Sequence, residues 1–432
     1  MMSLPMLARL DLRGFDGDLA AALARPVSND AGVLDAVRSI LADVRARGDV
    51  ALRDYTERFD GCRIDALRVP PDEIATALAA TSDELRAALE YAHREITAYH
   101  EAQSVPEIAL DRDGVRLRER VVPVDRVGAY VPGGRANYPS TVLMTVVPAR
   151  LAGVREVILC VPPDASGSIP AATLAAAALA GVDEVYRVGG AQAIGAMAYG
   201  TDSIRAVDVV VGPGNAFVAA AKREVAGMVG IESFAGPSEI VVLADGGADP
   251  ELVAIDLLAQ AEHGPDGSAV LITWDEAVAT AVDAAVDRLT ELAPRRDDIE
   301  ANLAAGGRIV LVRGAEQALA AVNAIAPEHL ELLTAEPESL VPLVRNAGAV
   351  FCGPWAPAAV GDYVAGVNHV LPTARTARFS SALRVDDFRK HIHVVTLDES
   401  ALRRVAPHVQ ALAAVEGLAE HGRSVALRVD PP

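Results

Sequence analysis

From Arg126 onward, short runs of apolar residues alternate with longer stretches in which apolar positions recur every three or four residues. That rhythm predicts buried strands joined by amphipathic helices. The first unit is a strand from Arg126, the turn Pro132-Gly133-Gly134 and a helix from about Ser140. Residues 156–161 lead to an alanine-rich helix at 171–180, and residues 184–188 lead to Gly189-Gly190-Ala191-Gln192 and another helix. The run 207–211 then enters Gly212-Pro213-Gly214-Asn215 and a helix over 216–226. Successive units of this kind predict a parallel sheet wound with helices. After Ala235-Gly236-Pro237-Ser238-Glu239 a second series begins. Its strands, at 240–243, 269–273, 308–312 and 349–351, alternate with helices at 250–263, 275–292 and about 315–324. The expected fold is α/β: two tandem Rossmann-like domains with incomplete parallel sheets, a helical N-terminal extension and a small C-terminal one, with the deepest cleft between the two domains.

The flanks follow other patterns. Asn29-Asp30 precedes a helical stretch over 31–47, and Ser82-Asp83 caps one from Glu84 to about Gln103. Between Ile108 and Val124 the pattern becomes a hairpin, with Asp111-Arg112-Asp113-Gly114 at its turn. Near the C-terminus a helical pattern from about Leu402 ends in Glu416-Gly417-Leu418-Ala419-Glu420-His421.

Composition narrows the class of protein. Of 432 residues, 51% are hydrophobic and only 4% aromatic, which suits aliphatic helices on buried strands and a chain of more than one core. A net charge of −20 argues against nucleic acid or an anionic membrane surface as a partner. Cys62, Cys160 and Cys352 have no disulfide or zinc-ribbon spacing. The acidic N-terminal residues and the lack of a long apolar run point to a cytoplasmic protein without a secretory signal or membrane span.

Candidate chemistry concentrates in a few places. Asp249-Pro250-Glu251 is a strong helix start, and Gly264-Pro265 stops the helix near His263, so Gln260 and His263 share its end. That pair alone is compatible with an ordinary polar helix end. Glu328-His329 precedes Leu330, Leu332 and Leu333, placing an acid and an imidazole where a loop enters a strand. Asp362 and His369 lie in an irregular stretch that runs to Ser381, of the kind that often carries function. Glycine turns between strand and helix can admit a phosphate, but the acidic residue of the usual dinucleotide fingerprint is missing.

Taken together, these stretches resemble the histidinol dehydrogenase family. The resemblance rests on YVPGGRANYPS from Tyr130, YRVGGAQAIGAMAYGT from Tyr186, VGPGNAFVAAAKR from Val211, AGPSE from Ala235 and LLAQAEHGPD from Leu257. It continues through APEHLEL from Ala326, VGDYVAGVNHVLPT from Val360, TARFSS from Thr376 and EGLAEHGRSV from Glu416. Departures are Gly264 where the family often has Asp, Glu232-Ser233-Phe234 before AGPSE, and Val367 where a Pro is common.

The resemblance implies a homodimer that oxidises L-histidinol to L-histidine through a bound aldehyde, with two NAD+ and one Zn2+ per subunit. The zinc ligands would be Gln260, His263, Asp362 and, from the partner subunit, His421. His329 would be the general base and Glu328 would activate water. Ser238, His369 and Glu416 would contact substrate along with His329 and the zinc ligands, and Tyr130, Gln192 and Asn215 would contact NAD. The implied domains are an N-terminal arm (1–28), a substrate and zinc domain (29–125 with 237–383), an NAD domain (126–236) and a C-terminal dimerisation segment (384–432). Buried settings for Cys160 and Cys352 argue against a cysteine nucleophile. The rival readings are a family dehydrogenase acting on another diol, such as a sulfonated propanediol, a zinc hydrolase without NAD, and a silent imidazole-binding protein.

Overall fold

The computed structural model describes residues 6–24, 31–103, 106–134, 137–233 and 236–430. The Asn29-Asp30 cap, Phe234 and Ala235 lie outside the described residues. In chain order the strands are β1 (Ala8–Asp11), β2 (Ala109–Arg112), β3 (Val115–Pro123), β4 (Arg126–Tyr130), β5 (Glu156–Val161), β6 (Glu184–Arg187) and β7 (Val209–Val211). They continue with β8 (Gly230–Ile231), β9 (Glu239–Ala244), β10 (Ser268–Thr273), β11 (Arg308–Leu311), β12 (His329–Leu333), β13 (Ala349–Cys352) and β14 (Arg389–Leu397).

The chain divides into two compact units. One comprises the described residues of Met1–Gln103 and Asp125–Phe388, the other those of Ser104–Val124 and Arg389–Pro432. The larger unit holds two parallel sheets, in the orders β6-β5-β4-β7-β8 and β1-β11-β10-β9-β12-β13. Helices cover the strands, and the architecture is two Rossmann-like α/β layers. The smaller unit is an antiparallel sheet, β14-β3-β2, with helices Glu399–Glu416 and Ala419–Val429. Its hairpin turns at Asp113 and Gly114, both at positive φ, where the sequence places the turn.

Local sequence explains the elements that carry the site. In helix Pro250–Ala261 the Asp249 carboxylate accepts from Glu251 N–H at 2.9 Å, and Pro250 occupies a position that has no partner for an N–H. Val253, Ala254, Leu257, Leu258 and Ala261 are buried against β9 and β10, and each full-size aliphatic side chain contributes about 1.5–3 kcal/mol by leaving water. Leu252 and Ile255, which belong to the same apolar face by spacing, are exposed. The helix ends at Ala261 with Glu262 as its C-cap, so Gln260 is in the last turn and His263 lies just beyond it.

β4 is buried along its whole length. Its first residue, Arg126, is almost fully buried and forms ion pairs with Glu156 at the start of β5 and Glu184 at the start of β6. One guanidinium therefore ties together the amino ends of adjacent strands.

Candidate active site

The smaller parallel sheet reverses direction at β4. The chain moves outward through β5 and β6, then returns to the other side of β4 as β7 and β8. Ligands of open α/β sheets bind beyond the carboxyl ends of strands at such a reversal. Tyr130 ends β4, and Asn215 follows β7. Gln192 follows β6 in the first turn of helix Gly190–Tyr199.

Tyr130 and Asn215 are anchored by local hydrogen bonds. The Tyr130 hydroxyl accepts from Gly190 N–H at 3.2 Å, and burial pushes its pKa up to about 12. Gln192 is buried. Asn215 caps helix Ala216–Val225, its Oδ1 accepting from Phe217 and Val218 N–H at 3.1 Å each, which leaves its Nδ2 hydrogens for another partner. Gly212 permits the close pairing of these turns. It sits at φ 114°, and a Cβ there would lie 2.0 Å from the Tyr130 carbonyl oxygen.

The second cluster collects at the amino ends of the larger sheet. His329 opens β12, Ser238 directly precedes β9, and His263 lies ahead of β10. The pairing of β12 with β9 sets His329 beside Ile240. One residue's backbone then holds both members of the acid–imidazole pair. Glu239 N–H donates to Glu328 Oε2 at 2.9 Å, while His329 Nδ1 is 3.2 Å from the Glu239 carbonyl oxygen. In the neutral ring, a proton on Nδ1 satisfies that carbonyl and leaves Nε2 with its lone pair. Nε2 is buried, lacks a hydrogen-bond partner, and stands 3.4 Å from Asp362 Oδ1.

Charge and burial oppose each other here. Burial drives the Glu328 carboxyl up to about 7, against the pull of His329. Burial alone would lower His329, but the negative charges of Glu328 and Asp362 outweigh it and hold the ring at about 9. Burial would likewise raise Asp362, and the adjacent His329 ring together with the fields of His369 and His263 keeps it below the usual carboxylate range. Asp362 is presented by helix Ala358–Tyr363, and Gly361 packs tightly on the Phe351 ring.

His369 joins the two sheets' helices to this cluster. Its Nδ1 is 2.8 Å from the Asp362 carbonyl oxygen, and its Nε2 is 3.2 Å from Thr141 Oγ1, on the helix Pro139–Ala152 that follows β4. Neighbouring Asn368 donates to the Met144 carbonyl of that helix at 2.6 Å. Gln260 is buried, and its side-chain nitrogen has no hydrogen-bond partner. His263 is exposed, with Nδ1 3.1 Å from the Ala259 carbonyl, so Nε2 is its free ligating atom. Glu416 and His421 belong to the smaller unit and are exposed on its two C-terminal helices. Among the described residues, no group of three or more His, Cys, Asp or Glu side chains is arranged to hold a metal ion.

Sequence reading misses several parts of this arrangement. Glu239 acts through its backbone, which no residue type announces. Thr141 gains its place from a contact across 228 positions. Glu331, on the same face of β12 as His329, is fully buried and accepts from Ala358 N–H, at the start of the Asp362 helix, at 2.7 Å. Its carboxyl also hydrogen-bonds Asp256, one turn before Gln260.

Glycine turns at a sheet reversal, and a buried acid–imidazole pair tied through Asp362 and His369 to the helix that follows the first of those turns, fit an α/β dehydrogenase. A profile of the histidinol dehydrogenase family matches residues 23–429. The chain is 51% identical to a histidinol dehydrogenase of Gluconobacter oxydans over 430 residues, covering 98% of this chain and 100% of that one. It is 50% identical to one of Rhizobium meliloti over 421 residues, covering 96% of each. The crystal structure of a histidinol dehydrogenase from Elizabethkingia anophelis superposes with a TM-score of 0.94 at 35% identity, covering 99% of both chains. The chain belongs to the histidinol dehydrogenase family and is an NAD-dependent oxidoreductase.

Proposed function

We propose that this chain oxidises L-histidinol to L-histidine by two successive hydride transfers to NAD+, at one zinc-containing site completed across a homodimer. The observation that carries the reading is the Glu239 backbone, which orients both Glu328 and His329 next to Asp362. The sulfonated-diol, zinc-hydrolase and silent-binder readings are not favoured, because relatives near half identity over almost the whole chain carry one name.

The residues fit the implied metal. Gln260 brings a buried carboxamide whose oxygen is the atom able to ligate, His263 keeps Nε2 free, and Asp362 contributes a carboxylate whose charge feels the His263 ring. These nitrogen and oxygen donors suit zinc, and His421 of a second protomer would supply the remaining ligand. When bound, zinc would orient the substrate through its amino and imidazole nitrogens. NAD+, when bound, accepts the hydrides, and Tyr130, Gln192 and Asn215 would hold it at the carboxyl ends of β4, β6 and β7.

The protein's own groups then divide the proton work. In its neutral form, which the neighbouring carboxylates push to alkaline pH, His329 takes the alcohol proton at Nε2, because Nδ1 is committed to the Glu239 carbonyl. Glu328 takes a proton from the water that attacks the aldehyde, and burial keeps bulk solvent from competing with that water. Ser238, His369 and Glu416 would position the substrate, the carboxylate of Glu416 meeting its cationic amine. In this reading 237–383 carry the substrate and zinc groups and 126–236 the NAD groups, while 104–124 group with the C-terminal segment that would form the dimer, and the helices Ala31–Arg47 and Asp49–Asp60 pack with the NAD-binding sheet. The protein would work in the cytoplasm.

Mixing inactive His329→Ala and His421→Ala protomers tests the shared site. Hybrids should regain part of the activity, since one of their two sites holds both native residues. No recovery, with hybrid formation shown by mass, would mean that each site is built from one chain.

A further inference from the structure

Lys222 and Glu232 form an ion pair that the chemistry above does not use. Lys222 lies in helix Ala216–Val225, and its Nζ is 2.7 Å from Glu232 Oε1, with both side chains at 2% exposure or less. Removing two charges from water costs so much that such a pair is poor evidence for stability by itself. What sets this pair apart is its shared target. Lys222 Nζ donates to the Gly212 carbonyl at 3.1 Å, and Glu232 Oε1 accepts from the Gly212 N–H at 2.8 Å. Both backbone groups of one residue are held by the two members of one ion pair.

Gly212 is the residue at which orientation matters most. It leaves β7 at φ 114°, packs against the Tyr130 carbonyl, and opens the turn that ends at Asn215. A glycine there has access to many backbone conformations, so its neighbours must select one. We propose that the Lys222–Glu232 pair is a positioning element of the dinucleotide site, which locks the Gly212 backbone and thereby the spacing of Tyr130 and Asn215. This rests on the reading of those two residues as dinucleotide contacts. The pair also gives a role to Glu232, one of the departures from the family pattern. With the turn already ordered, binding NAD+ does not have to supply the ordering free energy.

The test is calorimetric titration of NAD+ into the full-length protein and its variants, with L-histidinol titrated separately. Lys222→Met alone strands a buried carboxylate and risks misfolding, so the informative variant is the double replacement Lys222→Met with Glu232→Leu, which removes both charges. Expected is a folded protein whose NAD+ affinity falls about tenfold or more, with histidinol affinity unchanged and kcat at saturating NAD+ nearly retained. Glu232→Gln, which keeps an oxygen for the Gly212 N–H, should lose less. Asn215→Ser keeps a helix-capping oxygen but removes the carboxamide, and should weaken NAD+ as well. Wild-type NAD+ affinity in the double variant, with Asn215→Ser weakened, would overturn the positioning role and leave the site reading standing. Unchanged affinity in Asn215→Ser would remove the site reading and the inference with it.

Discussion

Replacing Glu331 by glutamine should make the protein more stable, and increasingly so as the pH rises. Glu331 is 1% exposed, accepts from Ala358 N–H, and shares a hydrogen bond with the Asp256 carboxyl. Two carboxyls in that setting hold one proton between them, and burial together with the charge of Asp256 raises Glu331 from 4.5 to about 8. A raised carboxyl binds its proton more tightly in the folded chain than in the unfolded one. Its contribution to stability is therefore complete below the unfolded value near 4.5 and is lost as the pH climbs through about 8. At ~1.4 kcal/mol per pH unit the whole loss is bounded by ~5 kcal/mol, of which roughly 2–3 kcal/mol falls between about pH 6 and 9. The glutamine side chain would keep an oxygen for Ala358 and give Asp256 a permanent N–H donor. Thermal midpoints of wild type and Glu331→Gln, measured from about pH 6 to 9 with a chelator so that metal release does not enter, should diverge by several degrees in the variant's favour. A constant difference across that range would refute the shared proton.

Other expectations follow from the same geometry. Gly212→Ala would push a Cβ into the Tyr130 carbonyl at a positive φ, and should destabilise the fold by about 2–4 kcal/mol in chemical denaturation while weakening NAD+. Arg126→Leu leaves Glu156 and Glu184 without their common guanidinium, and should cost about 2–3 kcal/mol, read as a lower thermal midpoint. His263→Ala should lower zinc affinity by at least about 100-fold in competition with a chromogenic chelator, with the apo protein's melting temperature unchanged. Glu328→Gln should slow the aldehyde step by about 10²–10⁴-fold and leave the first NADH to form, seen as a burst followed by a slow phase.

The alternation of apolar runs and amphipathic helices makes both parallel sheets legible, because buried strands need little beyond apolar side chains. Strand β5 and the helix at Ala171–Ala180 have the ends their sequence predicts. Elements whose identity comes from distant partners are not legible in this way. β1 is ARLD, without alternation, and is a strand because it pairs with β11 some 300 positions away. β14 is drawn from polar and apolar residues mixed, and its register with β3 makes it a strand. The helices Asp49–Asp60 and Pro71–Ala80 are not among the predicted elements, although Pro71 and the acidic residues behind it mark a helix start. Within the site, the glycine turns and Glu328-His329 stand out by residue type. The Glu239 backbone contacts, the Thr141–His369 contact and the Lys222–Glu232 pair do not, because each exists only once the chain has folded.

The most direct measurement is the number of NADH molecules formed per L-histidinol consumed to completion, with zinc present and after chelation. The account requires two NADH per histidinol, lost on chelation and restored by zinc. One NADH with aldehyde released, or full activity in the chelated protein, would contradict a four-electron, zinc-dependent oxidation at this site.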